Sequence, residues 1–423
     1  MTRVRCFALA ILISVCCFGH TQIFAQSGQM APGYGPGANF APGGDCPPSP
    51  YQPFDPLPSS PGYFGADEVE PSYNRFGPLL KTDGGFVRVE YLNYNIGNPG
   101  HQLLGAPVAG VIDSTQPFVA FAPGTTLPVA LATVPTTDGI NLENNSGVQV
   151  TGGINFIEGG SIEVSAFMLA RKQSGFVLDN LGGPTDLTNF GQPGAVVPAV
   201  IATSTQFNGQ PSDHLLLYNQ SYQAIMQSQL WGAEANYFYD YDAVGLVQFR
   251  PLLGVRYLNL SERLTQQGTF VDPVLGGAPI VSTIDAQTMN NLWGGQVGFR
   301  LEVVSKYLQV GITPKLLLLG DSMLVNVYSN HLRTNADPSV GSSDFRNSFS
   351  LGGDVSTYAQ INVTPRFSLR AGYNFIVLSH VTRPQRDVVY NDNGASAPPA
   401  ISSQIDMKGI FFSGFSLGVE YRF

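Results

Sequence analysis

The sequence predicts an all-β protein: an antiparallel, up-and-down transmembrane β-barrel of about ten strands, with twelve strands as the alternative. Three observations predict this fold class. Only 12% of the 423 residues are charged, while glycine (48 residues), proline (31) and aromatic residues (11%) are abundant, which disfavours a coiled coil or a helical bundle. From residue 86 onward, apolar side chains recur at every second position. The segments with this period are joined by connections that are alternately short and long.

The chain is predicted to have three parts. Residues 1–25 are typical of a secretory signal peptide, with Arg3 and Arg5 ahead of an apolar stretch and Ala25 at the cleavage site. Residues 26–80 are predicted to be a flexible, Pro/Gly-rich periplasmic segment, because proline removes backbone donors and glycine raises the cost of ordering. Residues 81–423 are predicted to form the barrel.

Cleavage would leave Cys46 as the one remaining cysteine, so no intrachain disulfide is expected. The roles of Cys46 and of the Pro/Gly-rich segment stay open. The formal charge would change from −9 to −11, because the signal peptide carries two arginines and no acidic residue. An acidic chain with a pI near 5.0 is not expected to bind nucleic acid.

The period of two defines ten strands, most of them about 9 to 15 residues long. Successive side chains of a strand point to opposite faces, so each strand would turn one apolar face to lipid and one polar face to the interior. These lengths suit tilted strands that cross a bilayer. The strands cover residues 86–94, 148–157, 161–172, 230–241, 246–260, 293–303, 308–316, 351–363, 367–377 and 411–423. Two further strands, at 108–112 and 127–134, would give the twelve-stranded alternative.

The connections alternate in length along the whole chain. Short ones at 158–160, 242–245, 305–306 and 364–365 separate long ones at 95–147, 173–229, 261–292, 319–350 and 380–410. Outer-membrane barrels show this asymmetry, with tight periplasmic turns and long external loops. The pattern favours a bacterial outer-membrane barrel over a soluble sandwich, and it predicts that the N-terminal segment and the C-terminus are periplasmic.

Fifteen charged side chains lie at positions predicted to form the polar, inward face of the strands, and we take them as candidate pore-lining residues. They comprise nine basic and six acidic groups, which would give the interior a positive excess of three. This favours a passive channel for small polar solutes with a weak anion preference. The candidates are Arg88, Glu90, Glu163, Arg171, Glu234, Arg250, Arg256, Arg300, Glu302, Lys315, Asp354, Arg366, Arg370, Glu420 and Arg422.

The alternative is a non-conducting, structural or adhesive barrel that presents surface loops. Eight-stranded barrels are filled by side chains, and wide aqueous channels have about 16 strands, so ten strands would leave a narrow interior. An Arg/Glu network could fill that interior and satisfy itself. The sequence leaves these two functions open, together with the solute.

Several segments resemble the putative beta barrel porin type 7 family of bacterial outer membranes. The resemblance runs from about residue 86 to the C-terminus. It is carried by GFVRVEYL (85–92), LWGAEAN (230–236), LGVRYLNLSE (253–262), NLWGGQVG (291–298), LRAGYNF (369–375) and VTRP (381–384). It implies an outer-membrane barrel with a channel role, and it implies no catalytic residues.

The last strand ends on an aromatic residue, as an assembly signal of an outer-membrane barrel does. The expected partners are therefore outer-membrane lipid and the barrel assembly machinery, while a homo-oligomer and a partner of the Pro/Gly-rich segment stay open. No enzyme, cofactor or metal is expected, because the sequence has no nucleophile elbow, zinc-protease motif, P-loop or dinucleotide fingerprint. A hydrolase built from histidines at the barrel rim is the enzymatic alternative. The predicted assembly signal comprises Phe415, Leu417, Val419, Tyr421 and Phe423.

Overall fold

The computed structural model describes residues 82–122, 124–156, 159–240, 247–272, 276–392 and 399–423. The predicted signal peptide, the Pro/Gly-rich segment up to residue 80 and Cys46 lie outside these residues. In the described ranges, no helix is long and apolar enough to cross a membrane.

Most of the described chain is β-structure, and it contains one helix, α1 (Pro384–Asp387), and two short 3₁₀ turns, Thr137–Gly139 and Thr188–Phe190. The strands in chain order are β1 (Thr82–Ile96), β2 (Phe118–Phe121), β3 (Pro128–Thr133), β4 (Asn145–Phe156), β5 (Gly160–Leu169), β6 (Lys172–Asp179), β7 (Pro184–Asp186), β8 (Val196–Phe207), β9 (Gln210–Tyr218), β10 (Ser221–Phe238), β11 (Val247–Phe270), β12 (Ile280–Val304), β13 (Leu308–Asn330), β14 (Val340–Asn362), β15 (Phe367–Val381), β16 (Val388–Asp392), β17 (Ala400–Ser403) and β18 (Lys408–Arg422).

Ten of these strands close into an antiparallel ring. Its order is β1, β4, β5, β10, β11, β12, β13, β14, β15 and β18, and β18 pairs back onto β1 from Phe86 opposite Arg422 to Ile96 opposite Phe412. β6 extends the line of β5 along β10. Closure satisfies the backbone groups that an open sheet would leave unpaired at its edges. The predicted ten-stranded barrel is confirmed.

The twelve-stranded alternative is wrong. Residues 127–134 do contain a strand, β3, but β3 pairs with β2 and β8 outside the ring, and Val108 makes only an isolated bridge to Ser212. These strands belong to a second sheet of seven strands, in the order β17, β16, β8, β3 and β2, with β7 and β9 also paired to β8. We call it the loop-end sheet, because its strands all come from the long connections.

The two ends of the barrel differ. The turn end carries the C-terminus, where Phe423 exchanges backbone hydrogen bonds with Gly85, and the described short connections 305–307 and 363–366. The loop end carries the connections 97–144, 170–220, 271–279, 331–339 and 382–407. Which end faces the periplasm stays a prediction.

Two predicted long loops, 261–292 and 319–350, are wrong. They are continuations of β11, β12, β13 and β14, which run for 23 to 25 residues and leave connections of only 271–279 and 331–339. The reason is that the outward face of the wall changes from apolar to polar along these strands, while the inward face changes from polar to apolar. On β11 the outward side chains change from Leu253 and Val255 to Ser261 and Arg263, while the inward side chains become apolar toward Leu264.

The outward face near the turn end forms an apolar belt. Its side chains are about 40–60% exposed, far more apolar exposure than a soluble protein tolerates. In a bilayer these side chains would contact lipid instead of water. The belt includes Val89, Tyr91, Val148, Leu253, Val255, Val297, Leu316, Leu369, Phe375 and Leu417.

The apolar core lies inside the barrel, in its loop half. Inward side chains of the wall, such as Leu260 and Met323, are fully buried against residues of the connections, such as Leu142 and Ile401. Parts of the described connections therefore pack into the barrel. A smaller cluster around Ala132 and Ala202 holds the loop-end sheet together.

Candidate functional site in the barrel interior

Ion pairs cross the interior in the turn half of the barrel. Arg300 of β12 makes two hydrogen bonds to Glu163 of β5, at 2.6 Å from Nη1 to Oε1 and 2.8 Å from Nη2 to Oε2. Strands β10 and β11 lie between β5 and β12 in the ring, so this pair spans the interior rather than following the wall. Both residues are buried, and such paired geometry is what makes a buried charge tolerable.

A second group of charged side chains also crosses the interior in the turn half of the barrel. Glu234 of β10 accepts from Lys315 Nζ of β13 at 2.9 and 3.0 Å and from Arg256 Nε of β11 at 3.1 Å. Arg256 Nη2 also donates to Asp354 Oδ2 of β14 at 2.5 Å. Two cations and two anions thus tie four strands together.

A third group lies where the ring closes between β1, β18 and β15. Arg88 donates to Glu90 at 3.0 Å and to Glu420 at 3.3 Å. Arg370 lies 3.7 Å from Glu90 and stacks on the Tyr358 ring. Hydrogen bonds therefore occupy most of the polar groups of this layer.

Little space is left between these side chains. The cavity bounded by Arg88, Arg300, Lys315 and Arg370 has a volume of about 50 Å³. A buried water needs on the order of 10–15 Å³ of such space, so this cavity is of the order of a few waters.

The structure places the fifteen candidate charges in three groups. The three networks above account for Arg88, Glu90, Glu163, Glu234, Arg256, Arg300, Lys315, Asp354, Arg370 and Glu420. Nearer the mouth at the turn end, Arg250 pairs with Asp240 at 2.5 Å, Glu302 accepts from Tyr358, and Arg422 pairs with Glu420 at 2.9 Å with 38% of its side chain exposed.

Two candidates lie elsewhere, and their placement in the interior is corrected. Arg171 is exposed in the two-residue gap between β5 and β6, where the alternation of the strand is interrupted. Arg366 is exposed in the short connection between β14 and β15. Without them the candidates in the interior comprise seven basic and six acidic groups, so the predicted positive excess shrinks from three to one.

A second buried polar site fastens the connection 382–407 inside the loop half. Arg383 donates to Glu262 of β11 from Nε and Nη2, both at 2.8 Å, and from Nη1 to the Gly97 carbonyl at 2.7 Å. The Asn290 side chain of β12 bonds both backbone groups of Thr382, at 2.8 and 2.9 Å. The connection is therefore held by side chains of the wall.

Asp387, at the end of α1, lies in the same site and has no exposed surface. It accepts a hydrogen bond from the Thr382 hydroxyl and another from the Asp406 N–H at 2.9 Å. Burial is the largest influence and raises the pKa of this carboxyl to about 7; the charges of Asp406 and Glu262 act in the same direction.

The sequence pattern did not predict this second site. Arg383 and Glu262 both lie in segments that carry the family resemblance, yet Glu262 falls in a segment predicted as a loop. Glu262 has the same parity as Arg256 on β11. Extending the predicted strand by two residues, from 260 to 262, would have placed Glu262 in the interior.

The residues of the predicted assembly signal form one outward row on β18. Their side chains are between 41% and 53% exposed. Their role in assembly stays a prediction. Among the described residues, no group of three or more His, Cys, Asp or Glu is arranged to hold a metal ion.

A closed ring of strands with an apolar outer belt and a charged interior defines the class of protein: an outer-membrane β-barrel. Residues 129–423, more than half of the chain, match the family described as Putative beta barrel porin-7, and the chain belongs to that family. The family predicted from the resemblance is thereby confirmed. No curated protein sequence matches the chain.

Several solved structures are similar to the chain at low identity. The outer membrane protease OmpT from Escherichia coli is 10% identical, with 81% of this chain and 98% of that chain covered and a TM-score of 0.44. The toluene transporter TodX of P. putida is 9% identical, with 80% and 90% covered and a TM-score of 0.27. A Pseudomonas aeruginosa FadL homologue is 8% identical, with the same coverage and a TM-score of 0.23.

Proposed function

We propose that this barrel is closed to solutes in the conformation described, and that it acts as an outer-membrane scaffold that presents the loop-end sheet. The observation that carries the proposal is that the interior is occupied at two successive levels. In the turn half, the pairs Arg300–Glu163 and Lys315–Glu234 cross the interior and leave a cavity of about 50 Å³. That space is of the order of a few waters, and the ion pairs around it hold its walls together.

The second level is the apolar core in the loop half. Leu260, Met323 and Val325 of the wall are fully buried against the inward-folded connections. A solute entering from this side would have to separate apolar contacts, at a cost of roughly 25 cal/mol for each Å² exposed. The loop-end sheet rests above this core and is the surface that the barrel offers to its surroundings.

A passive channel for small polar solutes with a weak anion preference is the second candidate. The description of the family as a porin favours it. Conduction would require the apolar parts of several connections, among them Leu142 and Ile401, to leave the loop half. It would also require the cross-interior ion pairs of the turn half to part. The excess of one positive charge among the interior candidates supports at most a slight anion preference.

An enzymatic role has less support than either of these. His101 and Asp138 form an exposed pair at the loop end, with 2.7 Å between Nδ1 and Oδ2. Neither side chain is desolvated, and an activated site would normally be partly shielded from water. We therefore propose that the protein is not an enzyme.

Planar-bilayer conductance tests the proposal. The full-length protein would be extracted from outer membranes, and its folding would be verified by a gel mobility that shifts on heating. We expect no discrete steps from the wild-type barrel. We also expect no steps from a variant in which residues 383–405 are replaced by a short Gly/Ser linker, because the ion pairs of the turn half still cross its interior. Steps from the wild type, with reversal potentials that lean toward anions, would support the channel and contradict the closed scaffold.

A further inference from the structure

The outer wall of the barrel carries a polar depression at the junction of β5, β6, β10, β11 and β12. Its volume is about 170 Å³. Arginine and amide side chains dominate its lining, whereas the wall below it is apolar. We call it the outer polar patch and define it by Arg171, Gln227, Gln229, Ser261, Arg263 and Gln287.

The patch lies on the loop-end side of an aromatic row on the outside of the barrel. Trp231, Tyr257 and Trp293 lie on the outward parity, and Tyr257 and Trp293 are partners across β11 and β12. Gln229 follows two residues beyond Trp231 toward the loop end. Such aromatic rows mark the boundary between hydrocarbon and headgroups, so the patch lies at headgroup level.

Arg263 is held so that its outer nitrogens point away from protein partners. Its Nε donates to Asp285 Oδ1 at 2.7 Å, and Asp285 also accepts from Thr265 at 2.8 Å and from Gln287 at 3.1 Å. Within the described ranges, Nη1 and Nη2 of Arg263 make no hydrogen bond, and 49% of the side chain is exposed. A fixed guanidinium with two free amino groups suits a phosphate oxygen pair.

Arg171 supplies a second cation on the opposite side of the depression. It is exposed, and in the part of the chain that the structure describes it has no acidic partner. Glu262 lies at the base of the depression, but its carboxylate is engaged by Arg383. Because Asp285 balances the charge of Arg263 and Arg383 balances that of Glu262, the net charge at the depression is the single positive charge of Arg171.

The remaining lining suits a sugar. The side chains of Gln227 and Gln229 offer amide donors and acceptors, and Ser261 adds a hydroxyl. Further toward the turn end, the outward residues of the same strands join the apolar belt, for example Val255 on β11 and Val297 on β12. One molecule could thus place acyl chains on the belt and a polar headgroup in the patch.

We propose that the outer polar patch binds the phosphorylated saccharide headgroup of a membrane lipid, with Arg263 and Arg171 on its phosphate and the glutamine amides on its sugar. Asp285 is a positioning residue, because it orients Arg263 and does not itself face the anion. This site is independent of whether the barrel conducts.

Native mass spectrometry of the full-length protein in detergent tests the site, with lipid A, dephosphorylated lipid A and inorganic phosphate as probes. We expect lipid A to bind the wild type about tenfold more tightly than R171Q/R263Q or D285N, from the loss of charge-assisted hydrogen bonds. Dephosphorylated lipid A should bind all three proteins weakly. R346Q is the matched control, because Arg346 is an exposed arginine on β14 in the loop half.

Three outcomes would overturn the assignment. One is equal binding of lipid A and its dephosphorylated form to the wild type. Another is an equal loss of binding in R346Q. The third is that inorganic phosphate competes as well as lipid A, which would make the patch a site for free phosphate. The heat-dependent gel shift of each variant verifies that it is folded. If the double variant does not fold, D285N replaces it in the test, because D285N retains both arginines.

Discussion

Arg383 and Glu262 lie 121 positions apart in the sequence and meet inside the barrel through two hydrogen bonds of 2.8 Å. Their side chains are 4% and 0% exposed. Arg383 also donates to the Gly97 carbonyl, just beyond β1. One guanidinium therefore joins the connection 382–407 to strand β11 and to the start of the connection 97–144, and we infer that it helps to hold the loop half closed.

The first prediction concerns that ion pair. R383M should release the connection 382–407, because it leaves the Glu262 carboxylate buried and unpaired at a cost of about 3–5 kcal/mol. Limited proteolysis of the folded barrel should then cut within 382–407.

The double variant R383M/E262L is its control. Replacing both partners by apolar side chains removes the unpaired charge, so protection from protease should return toward the wild-type level. If R383M alone is as protected as the wild type, the ion pair does not fasten the connection.

The second prediction concerns the pH dependence of the same site. The pKa of Asp387 is raised to about 7 in the folded protein, against 3.8 for an unperturbed carboxyl. Between these pH values the folded site binds more protons than the unfolded one, so its stability falls as the pH rises toward 7. Protection of 382–407 in hydrogen exchange should therefore be greater at pH 5 than at pH 8.

D387N tests this assignment because an asparagine resembles the protonated carboxyl and does not titrate. Protection in D387N should be nearly the same at pH 5 and pH 8. A pH dependence in D387N equal to that of the wild type would assign the effect to another group.

The barrel could be predicted from the sequence because the face of each strand that contacts lipid must be apolar. On β18 the outward row from Phe411 to Phe423 is apolar or small at every second position, and the same signal marks the turn half of the other strands. The number of such segments gives the number of strands. The alternation of short and long connections between them indicates that the strands close into a barrel.

The loop half could not be predicted in the same way. On β11 the apolar residues lie on the outward face up to Val255 and on the inward face from Leu258. The regular alternation therefore breaks at this point, although the strand continues for another twelve residues. Partners such as Glu262 and Arg383 come from distant segments, and their pairing depends on how the connection folds inward. No local periodicity encodes that fold.

The third prediction concerns the pair Arg300–Glu163. E163Q would leave Arg300 buried without its carboxylate and should lower the unfolding temperature of the barrel in detergent. The exchange variant R300E/E163R should recover part of the loss, because the pair can form in the opposite sense. Full wild-type stability of E163Q would mean that the interior holds enough water to solvate Arg300 and would weaken the closed-barrel proposal.

The fourth prediction locates the membrane on the barrel with two arginines placed on one strand. Leu316 and Asn326 are both outward on β13, the first in the apolar belt and the second ten residues nearer the loop end. L316R should reduce the free energy of unfolding in lipid vesicles by about 2–4 kcal/mol, the cost of an arginine near the bilayer midplane. N326R should change it by less than about 0.5 kcal/mol, because water surrounds that position. Denaturant titration in vesicles measures both values. If both arginines cost the same, the long strands are embedded over their whole length and the outer polar patch cannot lie at headgroup level.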